Sequence, residues 1–240
     1  MSDTARTLTE IAVERLSADI VNGVLVPEQK LLIAELKERY DMGASPLREA
    51  LSQLSSQGFV VADSRRGFRV AAISREDLED ITRLRQLVEL AALRDALAAG
   101  DHEWELGIRA AFARLEGLAA VIKAGRSSAG AHDLEQAHRN LHEAFLAACS
   151  SQRMRMVRSI LYDQAQRYRQ LMLQKTSQDL DEFVDIHRQL VEAILSRNQA
   201  QACDSLAEHL DLTLLSVYPD APAQAETSKT SRSTRVRRQA

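Results

Sequence analysis

Apolar positions recur at helical spacing along most of this 240-residue chain, with one short interruption near the N-terminus. From Leu8 to Asn22, Ile11, Val13, Leu16, Ile20 and Val21 supply the apolar positions of a helix that Gly23 ends. Val24-Leu25-Val26-Pro27 reads as extended, because proline disfavours helix in the residue before it. A short second helix is expected over Leu31 to Tyr40, with Leu32, Leu36 and Tyr40 four apart, then a turn at Asp41 to Ala44. Ser45-Pro46 opens a third helix to about Gln57, since serine caps well and proline suits the first helical position. Leu47, Ala50, Leu51 and Leu54 give that helix one buried stripe and leave Arg48, Ser52 and Gln53 elsewhere. Phe59-Val60-Val61-Ala62 and Phe68-Arg69-Val70-Ala71 are β-rich runs around Asp63-Ser64-Arg65-Arg66-Gly67, a hairpin with a basic tip.

From Ser74 the pattern is helical throughout. Ser74-Arg75-Glu76-Asp77 is a start signal with an acidic first turn. Helices are expected at 75–99, 101–124, 131–149, 152–175, 179–196 and 199–216, and their short connections imply an antiparallel bundle. From Pro219 onward Pro, Ala, Ser, Thr and Arg dominate without apolar periodicity, as in a disordered basic tail. The expected fold is mainly α. Residues 1–73 form a winged helix-turn-helix with a small β-hairpin wing, 74–218 an antiparallel helical bundle, and 219–240 the tail.

A helix-turn-helix followed by such a hairpin presents its second helix to a DNA major groove. Candidate contacts to double-stranded DNA are Lys30 and Lys37, then Ser45, Pro46, Arg48, Ser52 and Gln53 of the reading helix, then Arg65, Arg66 and Gly67 of the wing. The net charge of −3 does not advertise this, and residues 1–73 carry 9 Lys/Arg against 10 Asp/Glu. The basic groups must therefore be gathered on one face. No apolar run approaches the roughly 20 residues that span a bilayer, so no membrane partner is expected, and the N-terminus does not read as a signal peptide. Cys149 and Cys203 both fall in helical patterns, which favours a reduced, cytoplasmic setting over a disulfide scaffold.

Four of the six histidines are spaced as a set. His138 and His142 leave the same helix face, one that also carries Phe145 and Cys149. His187 lies in the stripe of Phe183, Leu190 and Ile194, and His209 lies beside Leu206 and Leu210. Imidazoles from three helices meeting in a bundle core can make a metal site. Arg85 is conspicuous among Ile81, Leu84 and Val88, and a guanidinium fork there fits a carboxylate. A pair with Glu89, four residues on, is the plainer reading. Tyr162, Arg167 and Tyr168 are further candidates for the same pocket.

Residues 8–73 resemble the winged helix-turn-helix of the GntR superfamily. The resemblance rests on Gly23-Val24-Leu25-Val26-Pro27 through Leu31, on Met42 through Gly58-Phe59 with its Pro46-Leu47-Arg48-Glu49-Ala50-Leu51 core, and on Arg66-Gly67-Phe68-Arg69-Val70. Residues 74–216 resemble FCD, the helical effector domain of FadR-type members. Three departures stand out. Gly43 and Ala44 stand where the family has Ser and a base-contacting Arg, so Arg48 carries more of the readout, and Glu28 replaces a Gly after Pro27. The Met42-Gly43-Ala44-Ser45-Pro46-Leu47-Arg48 form resembles a smaller branch that regulates carbon-starvation and dicarboxylate genes.

The resemblance implies a homodimeric regulator, most simply a repressor, that senses a small carboxylate such as a dicarboxylate or a hydroxy or keto acid. It also implies a divalent ion such as Zn²⁺ on His142, His187 and His209, with His138 in the place of the family Asp, and an acid-clamping role for Arg85. Neutral imidazoles cancel none of a divalent ion's charge. Either an effector carboxylate completes the shell, or no metal is held and the histidines bond the effector directly. Two other functions fit less of the chain. A histidine-cluster metal hydrolase would want a general base near the metal, and no His-Glu-x-x-His helix is present; it also ignores the first 73 residues. An effector-independent dimeric DNA-binding protein would use the bundle only to dimerise.

Overall fold

The computed structural model describes residues 6–63, 67–125, 130–173 and 179–219. The wing tip (Arg65 and Arg66 included) and the tail beyond 219 lie outside the described residues. The N-terminal part contains α1 (Leu8–Val21), β1 (Lys30–Leu31), α2 (Ile33–Tyr40), α3 (Ala44–Ser56), β2 (Val60–Asp63) and β3 (Gly67–Val70). Six helices follow: α4 (Arg75–Ala99), α5 (His102–Lys123), α6 (Ala131–Phe145), α7 (Gln152–Leu173), α8 (Leu180–Leu195) and α9 (Gln199–Val217).

In the N-terminal part, Ala12, Leu16 and Ile20 of α1 meet Leu47, Ala50, Leu51 and Leu54 of α3 in one buried cluster. Tyr40 closes the end of α2, its hydroxyl donating to Asp19 at 2.6 Å while Arg15 donates to its carbonyl. The sheet is antiparallel in the order β1-β3-β2, with Lys30 opposite Arg69 and Val60 opposite Val70. The apolar spacing predicts no β1 and starts α2 at Leu31, whereas Lys30–Leu31 is a strand and α2 begins at Ile33. Two residues carry too little alternation to announce a strand, and only pairing with β3 makes one.

The start of α3 also differs. Gly43 is the N-cap, so Ser45 and Pro46 are the second and third helical residues. Proline is harmless there, because first-turn N–H groups have no intrahelical acceptor. Ser45 Oγ donates instead to Glu49, whose carboxylate also accepts from Thr9 on α1. The turn after Pro27 survives its missing glycine: Glu28 itself adopts φ 64°, a conformation that costs an L-residue about 1–2 kcal/mol.

The bundle helices fall close to the predicted spans. Ser74 caps α4 as expected, and Asp101, Asp179 and Asn198, which the sequence had not marked as caps, do the same for α5, α8 and α9, each accepting from a first-turn N–H. The exception is α6, which stops at Phe145 rather than 149, the next residues turning through three-residue bonds such as Cys149 N to Leu146 O. Trp104 explains how that corner is held. Its indole N–H donates to Ala144 O at 2.9 Å, and its ring lies against Gly100. Helix α6, which bears two of the histidines, is thereby fixed to the α4–α5 connection. A Cβ on Gly100 would sit 2.4 Å from the Trp104 ring and 2.7 Å from Ala96 O. Gly100→Ala is therefore expected to lower stability by about 1–3 kcal/mol, read as a thermal midpoint several degrees below wild type. An unchanged midpoint would mean the corner yields freely.

Candidate functional site

On the exposed side of α3 stand Ser45, Arg48, Ser52 and Gln53, opposite the buried leucines. Among the described residues the Arg48 guanidinium has no internal partner, so its five donors are available to a ligand. Lys30 on β1 and Lys37 on α2 are exposed, Pro46 is half-buried, and Gly67 opens β3 at φ 83°. Arg69 is less free, since it donates to Glu28 O.

In the bundle the four histidines do converge. His138 and His142 come from α6, His187 from α8 and His209 from α9, and one ligand nitrogen from each lies within 4.8 Å of the others. The ring centroids of His138–His187 and His187–His209 are 4.7 Å apart, and the Nε2 atoms of His142 and His209 approach to 3.1 Å. His187 Nδ1 donates to Phe183 O at 2.6 Å, which leaves its Nε2 without a proton. That atom and His138 Nε2 are buried with no protein partner. Bare imidazole nitrogens from three helices are the donor set that a divalent transition ion takes.

Burial pushes His142 and His209 well below the usual histidine range, with help from the neighbouring imidazoles, and takes His187 down to about 3. His138 is lowered less steeply, burial being opposed by Glu135. The cluster is neutral near pH 7.

A charged shell surrounds it. Arg85 donates to Glu89 at 2.7 Å, both nearly dry, so the plainer reading of Arg85 is realised while it still borders the site. Arg158 Nε lies 4.0 Å from Glu89 and a terminal nitrogen 3.4 Å from Glu143, but Nε and the other terminal nitrogen are buried without a hydrogen-bond acceptor. Arg169 pairs with Glu135 at 2.7 Å. The three guanidinium carbons lie 5.5, 4.7 and 4.7 Å from the centre of the buried Tyr162 ring. Burial would raise Glu135, yet Arg169 and His138 hold it far below the carboxylate range.

Helical period explains what this shell includes and what it leaves out. Arg158, Tyr162 and Arg169 are spaced by four and seven and share one face of α7. Arg167 and Tyr168 point to another. Arg167 donates to Ala71 O at 2.6 Å, and the Tyr168 hydroxyl donates to Asp77 and accepts from Ser74 N. These two therefore sit at the junction with the N-terminal part and away from the histidines. Glu135, Arg158 and Arg169 were not picked out from the sequence, although the shared face of α7 around Tyr162 was available as a signal.

The unfolded chain takes up protons on these histidines below about pH 6.5, and the folded chain does not. Stability thus rises with pH across that window and is flat above it. Chelator-treated protein should lose thermal midpoint as the pH falls from about 6.5 toward 5, and a His142→Asn, His209→Asn variant should lose less. Parallel losses in the two proteins would contradict the assignment.

Residues 80–212 match the model of the FCD domain, and residues 8–70 match that of the bacterial regulatory proteins of the gntR family. The HTH-type transcriptional repressor GlaR of Escherichia coli (strain K12) is 35% identical over 211 residues, covering 87% of this chain and 94% of that one. The HTH-type transcriptional regulator BphR of Paraburkholderia xenovorans (strain LB400) is 34% identical over 214 residues, covering 87% and 84%. Among solved structures, E. coli McbR/YncC superposes with a TM-score of 0.74 at 18% identity, covering 89% of this chain and 98% of that one. A putative GntR regulator from Rhodococcus sp. RHA1 gives 0.70 at 18% identity, covering 89% and 99%. These two share the fold. Regulators of this family bind operator DNA and usually act as dimers, and FCD domains can bind metal. Among the described residues no helix is long and apolar enough to cross a membrane. With both halves matched and the relatives being transcription regulators, the chain is a member of the GntR family of transcriptional regulators that carries an FCD domain.

Proposed function

We propose that this regulator is a repressor that a small carboxylate releases from its operator, with a divalent metal held by His138, His142, His187 and His209. The observation that carries the reading is an imbalance of buried charge. Three largely buried guanidiniums, Arg85, Arg158 and Arg169, are set against two buried carboxylates, Glu89 and Glu135, while Glu143 is half exposed. Buried donors without acceptors are costly, and a carboxylate satisfies a guanidinium fork through two parallel bonds. The ion, when bound, would supply a further point charge for an effector oxygen.

Release needs a path from this site to the DNA-reading part, and α7 offers one. Its Arg158, Tyr162 and Arg169 border the site. Its Ile160 packs on the N-terminal core, Gln164 donates to Gln57 O at 2.6 Å just past α3, and Arg167 grips Ala71 O just past β3. An effector that prefers one placement of α7 would shift the placement of α3 and the wing. Two copies on a two-fold axis would carry two α3 helices to half-sites of a palindrome, so a small shift in either would spoil the fit.

Anisotropy titration of a duplex from the chain's own upstream region, at fixed salt, separates the two parts. Arg48→Ala should weaken specific binding about tenfold or more and leave the thermal midpoint unchanged. Arg158→Gln should bind the duplex normally and need at least about tenfold more short-chain mono- or dicarboxylate for release. Specific affinity untouched by Arg48→Ala, or wild-type protein indifferent to every acid tried, would overturn the reading.

A further inference from the structure

His138 stands where the resembling domains carry an aspartate, and its surroundings explain how an imidazole works there. Its Nδ1 lies 3.1 Å from the Tyr162 hydroxyl and 3.6 Å from Glu135 Oε2. The Tyr162 hydroxyl is 2.8 Å from Glu135 Oε1, and Arg169 bonds the same oxygen at 2.7 Å. A carboxylate paired with a guanidinium only accepts, and a phenol has one proton to give. That proton goes to Glu135. The Tyr162 oxygen must then accept at His138, so His138 Nδ1 carries the hydrogen. His138 Nε2 is left as a bare lone pair, buried and unpartnered, on a ring whose centre lies 4.7, 4.7 and 6.3 Å from those of His142, His187 and His209. For His187 the Phe183 carbonyl imposes the same tautomer by a different route.

We infer that Glu135, acting through Tyr162, is a positioning residue that turns His138 into a metal ligand. The carboxylate charge that the aspartate would bring into the ligand shell is thereby moved one layer out. Resting on the metal-site reading above, this assigns a site of four neutral imidazoles whose occupant is a nitrogen-preferring divalent ion such as Zn²⁺ or Co²⁺ rather than Mg²⁺ or Ca²⁺. The ion keeps its full double charge toward an effector. Groups that orient a ligating histidine in this way are commonly worth about 10–100-fold in metal affinity.

The test uses the full chain, stripped of metal and labelled with ¹⁵N-histidine. The His138 signals, assigned by their loss in His138→Gln, should report the Nδ1–H tautomer. The opposite tautomer overturns the inference whether or not metal binds. Co²⁺ titration followed by its absorption bands is the second arm, with dichroism as the check on folding. Glu135→Gln with Tyr162→Phe should weaken Co²⁺ binding at least about tenfold in the wild-type background, and hardly at all in the His138→Asp background, where no tautomer has to be set. Equal losses in both backgrounds mean a merely structural role and refute the inference. Wild-type protein that takes up no Co²⁺ refutes the metal-site reading and this assignment with it. Wild-type uptake unaffected by the two substitutions refutes the positioning role alone.

Discussion

One helix, α7, is packed into two cores at once, and the rest of the molecule is arranged by that constraint. On one face Arg158, Tyr162 and Arg169 close the space around the four histidines. On the others Ile160 enters the core of the N-terminal part, Ala165 and Tyr168 pack with Leu78, Ile81 and Leu214, and Gln164 and Arg167 cap backbone carbonyls beyond α3 and β3. A close-packed interior does not deform smoothly, so a helix gripped on opposite sides tends to move as a unit or not at all.

The charged shell gives that helix something to respond to. Burying a guanidinium is expensive unless acceptors surround it, and replacing such groups with apolar ones often stabilises a protein. Stability alone therefore does not account for Arg85, Arg158 and Arg169 gathered around one tyrosine, with donors of Arg158 left unmet. Keeping four imidazoles neutral in the same volume leaves the local balance positive. Binding an acid is the process that would use both features.

Much of this was legible in the sequence because it depends on local rules. The leucine stripe of α3, the cap at Ser74 and the four inward histidines are set by periodicity and first-turn chemistry, and the folded chain keeps them. What stayed hidden depends on distant partners. Strand β1 exists through β3, and the early end of α6 goes with the Trp104 bond to Ala144. Arg167 and Tyr168 drew attention as polar aromatic and cationic neighbours of Tyr162, but one helical turn does not keep residues five and six apart on one face. Arg158, Arg169 and Glu135 have no local signal of burial; they become a shell only where α4, α6 and α7 enclose them.

If the acid site and the DNA-reading helix communicate through the α7 junction, loosening that junction must uncouple them. The most direct measurement is operator affinity with and without saturating acid, compared between wild type and a Gln164→Ala, Arg167→Ala variant. The variant should bind the acid as wild type does while the affinity ratio collapses toward one. A ratio as large as in wild type would show that the signal travels by another route.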